Sequence, residues 1–144
     1  MSKSNVELVR GAMDAIARRE LPELERFCLP EVEFDWSRRL LDGEVIRGYD
    51  ALRRFIDDTL GIFDELFFEE EEVMDLGDDV LVVSTAVVRG RTSGAEVKAR
   101  GATIWTLRDG KVARFCFYQG KEDALRDLAA RKAEAAAPPT PPER

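Results

Sequence analysis

Histidine is absent from this chain of 144 residues, and cysteine occurs only twice. Without an imidazole, Ser-His-Asp and Cys-His nucleophile systems, His-Asp dyads and histidine-bearing metal sites are all excluded. Two cysteines cannot build a four-cysteine zinc site either, and no metal or other cofactor is expected. Proton transfer near neutral pH falls to a carboxylate, tyrosine, lysine, cysteine or bound water. Cys28 and Cys116 each lie in an apolar segment with no neighbouring base to lower the thiol pKa, the pattern of reduced core residues in a cytoplasmic protein. Positive charge is in deficit, 22 Lys and Arg against 29 Asp and Glu. The arginines are interleaved with acids, so no basic stripe is available for a nucleic acid. No apolar run approaches the roughly 18 residues of a membrane span. The opening Met1-Ser2-Lys3-Ser4-Asn5 leads into an amphipathic segment without the apolar core of a signal peptide. The expectation is a cytoplasmic protein with neither membrane nor nucleic-acid partner.

What is present is a strong periodic pattern. Ser4 and Glu7 have the spacing of a capping box, and Val6, Val9, Met13, Ile16 and Ala17 follow at helical intervals. Pro22 to Cys28 predicts a short second helix, stopped by Pro30. Glu31 to Trp36 alternates strictly, which predicts a half-buried strand with Val32, Phe34 and Trp36 inward and Glu33 and Asp35 on the other side. Residues 37–48 are a polar excursion with a turn at Asp42-Gly43 and a short strand. A third helix is predicted from Tyr49 or Asp50 to about Asp64, with Leu52, Phe55, Ile56, Leu60 and Phe63 at core spacing. Strands are expected over Phe67–Leu76 and Val80–Arg91, and Ser93-Gly94 turns the chain into a long hairpin. That hairpin, residues 95–119, folds about Asp109-Gly110, a pair that tolerates the positive φ of a tight turn. A last helix is predicted from Lys121 to about Glu134, so the domain spans residues 1–134. The Ala- and Pro-rich residues 135–144, with nothing bulky to bury, are expected to be a disordered tail.

Helices followed by a meander of long strands define an α+β domain, with helices on one sheet face. The opposite face is also apolar: Leu81, Val83 and Val87 alternate with Val80, Val82 and Val88, and Ala102, Ile104 and Cys116 oppose Trp105. A sheet apolar on both sides needs two covers. This leads to the expectation of a homodimer through the outer face. The run Glu69-Glu70-Glu71-Glu72 suggests a metal site, but successive strand residues point apart. A charge-blunted edge strand is the simpler account, with Glu70 or Glu72 left as the residue that could reach a cavity.

Five segments together resemble the SnoaL-like branch of the nuclear-transport-factor-2-like (ketosteroid isomerase-like) superfamily. They are Asn5–Arg10, Val32-Glu33-Phe34, Ile46–Leu52, Val73–Asp79 and Ile104–Val112. The resemblance, covering roughly residues 4–130, implies a cone-shaped α+β roll: a curved, mostly antiparallel sheet wrapped around the N-terminal helices, with a ligand pocket inside and frequent dimers. The superfamily holds isomerases, cyclases, hydrolases, dehydratases and members without known activity, so fold alone does not decide function. The isomerase base falls at about Trp36, the oxyanion-hole acid at Thr103 and the helix-one tyrosine near Ala12, so none of the three is retained. Losing such donors costs on the order of 3 kcal/mol each. The histidine-dependent dehydratase pattern is missing outright, and the Asp-Arg-Asp set of the epoxide hydrolases finds no match.

By alternation, Gly101, Thr103, Trp105 and Leu107 share a face with Phe115, Phe117 and Gln119 of the next strand. Phe34 and Trp36 close the open side, and Met13 and Phe55 are contributed by helices. Such a lining suits a small apolar or aromatic ligand. The first expectation is a small-molecule binding protein without a conventional catalytic dyad. The alternative is a lyase or a cyclase/isomerase-like enzyme using Asp35, or Glu72 with Tyr118, as acid/base, which requires a carboxylate in the cavity. Arg100, Arg114 and Tyr118 fall on the outer face in this register.

Overall fold

The computed structural model describes residues 2–37, 43–60, 63–90 and 94–136. Helix α1 (Ser2–Ala17) is followed by a 3-10 turn (Leu21–Glu23) and the one-turn α2 (Leu24–Phe27). Then come β1 (Cys28–Asp35), β2 (Val45–Arg47), α3 (Tyr49–Leu60), β3 (Phe63–Asp75), β4 (Asp79–Gly90), β5 (Glu96–Arg108), β6 (Lys111–Tyr118) and α4 (Lys121–Ala136). The strands form one six-stranded open, curved sheet in the order β2-β1-β6-β5-β4-β3. Only the β1–β6 pair is parallel; the other neighbours run antiparallel. This is the expected α+β class. The turns expected at Asp42 and Ser93, and the tail from 137 to 144, lie outside the described residues, as do the side chains of Ser4, Leu60 and Phe63.

Local chemistry explains most boundaries. The β5–β6 turn places Asp109 at φ 54 and Gly110 at φ 76, the left-handed pair that matches strand twist in a two-residue hairpin. Arg108 consequently faces Lys111 across the turn. Three boundaries move from expectation. Helix α1 starts ahead of Ser4, Cys28 opens β1 instead of closing a helix, and Phe63 begins β3 after α3 ends at Leu60. The last shift is the larger: Phe63 sits three residues after Leu60, and that spacing reads as helical although Gly61 separates them.

The inner face of the sheet packs on α1 and α3. Val9, Ala12, Met13 and Ile16 of α1, Leu52 and Ile56 of α3, and Val32, Phe34, Val82, Trp105 and Phe115 of the sheet form the main core. Cross-strand register aligns Trp105 with Phe115 and Phe115 with Phe34. The three rings stack as a column, with centroids 4.5 Å apart at both steps and interplanar angles of 7° and 18°.

The outer face corrects the expectation of an uncovered apolar surface. Helix α4 supplies Ala124 and Leu128 against Leu81, Val83, Ala102, Ile104, Cys116 and Tyr118, a second core on the far side of the sheet. Tyr118 donates a hydrogen bond to Asp127 of α4, and Lys121 at its start pairs with Glu72 at 2.9 Å. The chain thus covers with its own last helix the part of that surface formed by Leu81, Val83, Ala102, Ile104 and Cys116. Beyond α4 the outer face is a lattice of ion pairs, with Arg89 between Glu65 and Glu96 and Lys98 beside Glu69.

Strand β3 is a sheet edge, as its acidic run suggests. A bulge between Glu70 and Glu72 breaks the alternation there, and the four carboxylates diverge to four different cations. Glu69 meets Lys98 (3.9 Å), Glu70 Arg10 (2.6 Å), Glu71 Arg100 (2.7 Å) and Glu72 Lys121 (2.9 Å). Among the described residues no helix is long and apolar enough to cross a membrane.

Candidate functional site

A cavity of about 190 Å³ lies between the inner sheet face and helices α1 and α3. Its walls include Met13 and Ile16 from α1, Leu52, Phe55 and Ile56 from α3, and Phe34 and Trp36 from β1 and its end. Strands β3 and β4 add Leu66, Phe68, Ser84, Ala86 and Val88; β5 and β6 add Thr103, Trp105, Phe115 and Phe117. A second hollow of about 160 Å³ shares Trp36, Phe68, Ser84, Ala86, Thr103 and Phe117 with it and continues along β5 past Gly101. Phe55, Phe68, Val88 and Phe117 are half-buried and mark the open side.

Nine of the ten lining residues expected from sequence are brought together: Met13, Phe34, Trp36, Phe55, Gly101, Thr103, Trp105, Phe115 and Phe117. Gln119 is not among them; it follows the end of β6 and is exposed. Leu107, set off by a bulge after Thr106, packs in the core instead. The contributions of β3 and β4 were missed. The alternation Ser84, Ala86, Val88 carries the signal, since the register sets Ser84 opposite Gly101 and Ala86 opposite Ala99.

The candidate catalytic residues lie elsewhere. Asp35 follows Phe34 by one residue, so the two-residue strand period turns it to the outer face. There its carboxylate accepts from Ser37 N (2.9 Å), Ser37 Oγ (2.6 Å) and Arg114 Nη2 (2.8 Å). Burial alone pushes the Asp35 pKa up, but the Ser37 bonds and the Arg114 charge outweigh it and hold the carboxyl below its ordinary range. Glu72 is on the outer side opposite Val83 and pairs with Lys121. Tyr118 is buried beneath α4, and burial together with its bond to Asp127 pushes its pKa upward. None of the three lines the cavity. Among the described residues the lining contains no ionisable side chain, so none of them supplies it with a charged acid or base.

The polar atoms of the lining are few. Thr103 Oγ1 accepts from Trp105 Nε1 at 2.9 Å. Trp36 Nε1 is buried and has no acceptor among the described residues, a condition that costs about 1–3 kcal/mol when nothing relieves it. Trp36 and Thr103 both line the cavity, whereas Ala12 is fully buried in α1.

A helix-filled curved sheet with an internal apolar hollow defines the architectural class, and the comparisons agree with it. The family model of the SnoaL-like domain matches residues 9–115, and the chain belongs to that family. Among solved structures, a candidate SnoaL-like polyketide cyclase from Shewanella putrefaciens CN-32 superposes with TM-score 0.72 at 16% identity, covering 91% of this chain and 98% of its own. TerC, crystallised with polyporic acid, gives TM-score 0.69 at 20% identity over 88% of this chain and 98% of its own. A nuclear-transport-factor-2-like protein of unknown function from Burkholderia pseudomallei K96243 gives TM-score 0.68 at 21% identity, covering 85% and 95%. At such identities the likeness establishes the fold. No curated protein matches the chain.

Proposed function

We propose that this protein binds a small, uncharged, largely aromatic molecule in the cavity between α1, α3 and the inner sheet face. The observation that carries this is the lining itself: aromatic and aliphatic throughout, with sparse hydroxyl and indole groups and no ionisable side chain among the described residues. An apolar cavity of about 150 Å³ stays dry and accepts a benzene-sized guest, so a hollow of about 190 Å³ with a contiguous annex suits one or two rings. The structural neighbour crystallised with polyporic acid is consistent with an organic ligand in this fold. An acid/base enzyme built on Asp35 or Glu72 draws no support from the site, because both carboxylates face away from it and are already paired with cations.

Thermal unfolding in the presence of neutral one- and two-ring aromatic compounds tests the proposal. A ligand at about 100 times its Kd stabilises the folded state by about 2.7 kcal/mol, which at this chain length raises Tm by about 5–10 °C. A panel that leaves Tm unmoved refutes it.

A further inference from the structure

We infer that the bound molecule carries an uncharged hydrogen-bond acceptor, a carbonyl oxygen on its ring system, and that the Trp36 indole N–H donates to it where the two hollows meet. This rests on the binding function proposed above and specifies its ligand class. Among the described residues three buried side-chain polar atoms lack a partner: Trp36 Nε1, Asp75 Oδ2 and Arg114 Nη1. The last two belong to groups otherwise engaged, Asp75 by Gly77 N and Arg114 by Glu33 and Asp35. Nε1 is the only polar atom of its side chain, so Trp36 is left with nothing. It is also the one of the three whose residue lines both hollows. Buried donors without acceptors are rare in folded proteins, and each asks for a reason.

The surroundings decide what the missing acceptor is. Thr103 Oγ1 is occupied as an acceptor by Trp105, which leaves its own hydrogen to donate. Ser84, at the same junction, adds a second hydroxyl. Among the described residues of the junction, Trp36 Nε1 is thus the polar group that can only donate, while the two hydroxyls can donate or accept. No lysine or arginine lines the junction among the described residues, so an anionic acceptor would be desolvated without compensation. A cation is disfavoured too. No carboxylate lines the junction among the described residues either, so a cationic group would be desolvated without compensation as well.

Tetralin and 1-tetralone, bicyclic probes differing by one carbonyl oxygen, provide the test. Each is titrated calorimetrically into the wild-type protein and into Trp36→Phe, which keeps an aromatic wall and removes the donor. The expected result is that Trp36→Phe weakens 1-tetralone about tenfold and leaves tetralin within about twofold. A second measurement needs no substitution at Trp36. The chain has 2 tryptophans, and with the Trp105 indole signal assigned from Trp105→Phe, the other N–H proton should move downfield with 1-tetralone and not with tetralin. If both probes bind but Trp36→Phe weakens them equally, or the indole proton ignores the carbonyl, Trp36 is only a wall and this inference fails while the binding function stands. If neither probe binds the wild-type protein, the binding function falls and takes this inference with it.

Discussion

Ala86 sits in the middle of β4 on the inner face, opposite Phe68 on one neighbour and Ala99 on the other, and it lines both hollows. Replacing it by phenylalanine projects a benzene ring into that space, and the sign of the stability change depends on whether the space is there. Fully burying a phenylalanine side chain is worth about 1.5–3 kcal/mol. At this half-buried position about half of that is available, and ordering the ring costs about 0.5 kcal/mol. The net expectation for Ala86→Phe is a gain of about 0.3–1 kcal/mol, or about 0.5–4 °C in Tm. If the protein's own side chains filled the interior, the same ring would overpack it and cost about 1–3 kcal/mol. The two cases differ in sign, which a calorimetric melt and a guanidinium titration with unchanged slope resolve. The ring also occupies the ligand's place, so Ala86→Phe should abolish binding of any two-ring compound that stabilises the wild-type protein. A fall in Tm of several degrees, or undiminished binding in the variant, refutes the hollow as the site.

Four further outcomes follow from the same geometry. Phe115→Ala removes the central ring of the column and should cost about 3–5 kcal/mol in chemical denaturation. Asp35→Asn should destabilise the protein by about 1–3 kcal/mol at pH 7 by weakening the bonds to Ser37 and Arg114, with no loss of ligand binding. Because the folded-state pKa of Asp35 is depressed, its contribution is complete above the unfolded value of about 3.9 and vanishes as pH falls through the folded value. The gap between wild type and Asp35→Asn should accordingly close below about pH 4 in urea titrations. Burial pushes the Cys28 thiol up to about 12, so it should resist a thiol-specific chromogenic reagent at pH 8 until denaturant is added. Tyr118→Phe breaks the bond to Asp127 and should loosen α4, seen as faster amide exchange across Lys121–Ala136 and a stability loss of about 1–2 kcal/mol.

The chain announces much of its fold locally. The alternation from Glu31 to Trp36 puts Phe34 and Trp36 inward and Asp35 outward; Asp109-Gly110 sets the hairpin; the edge position of β3 is written in four consecutive glutamates. These are short-range consequences of side-chain period and backbone sterics, so a single strand or turn suffices to express them. Seven lining residues follow from the two-residue strand period once one inward residue per strand is known, and Met13 and Phe55 from helical spacing. Other features depend on which strands become neighbours. The contributions of Ser84 and Ala86 come from the register of β4 against β5, and the Trp105–Phe115–Phe34 column from two separate pairings, one of them parallel and distant in sequence. The place of α4 is the clearest case. Its sequence offers only a few large apolar residues, enough to say that a face is buried but not against what. Only the assembled sheet supplies Leu81, Ile104 and Tyr118 as one surface for Leu128 to cover, because a docking site made of three strands does not exist until those strands have paired.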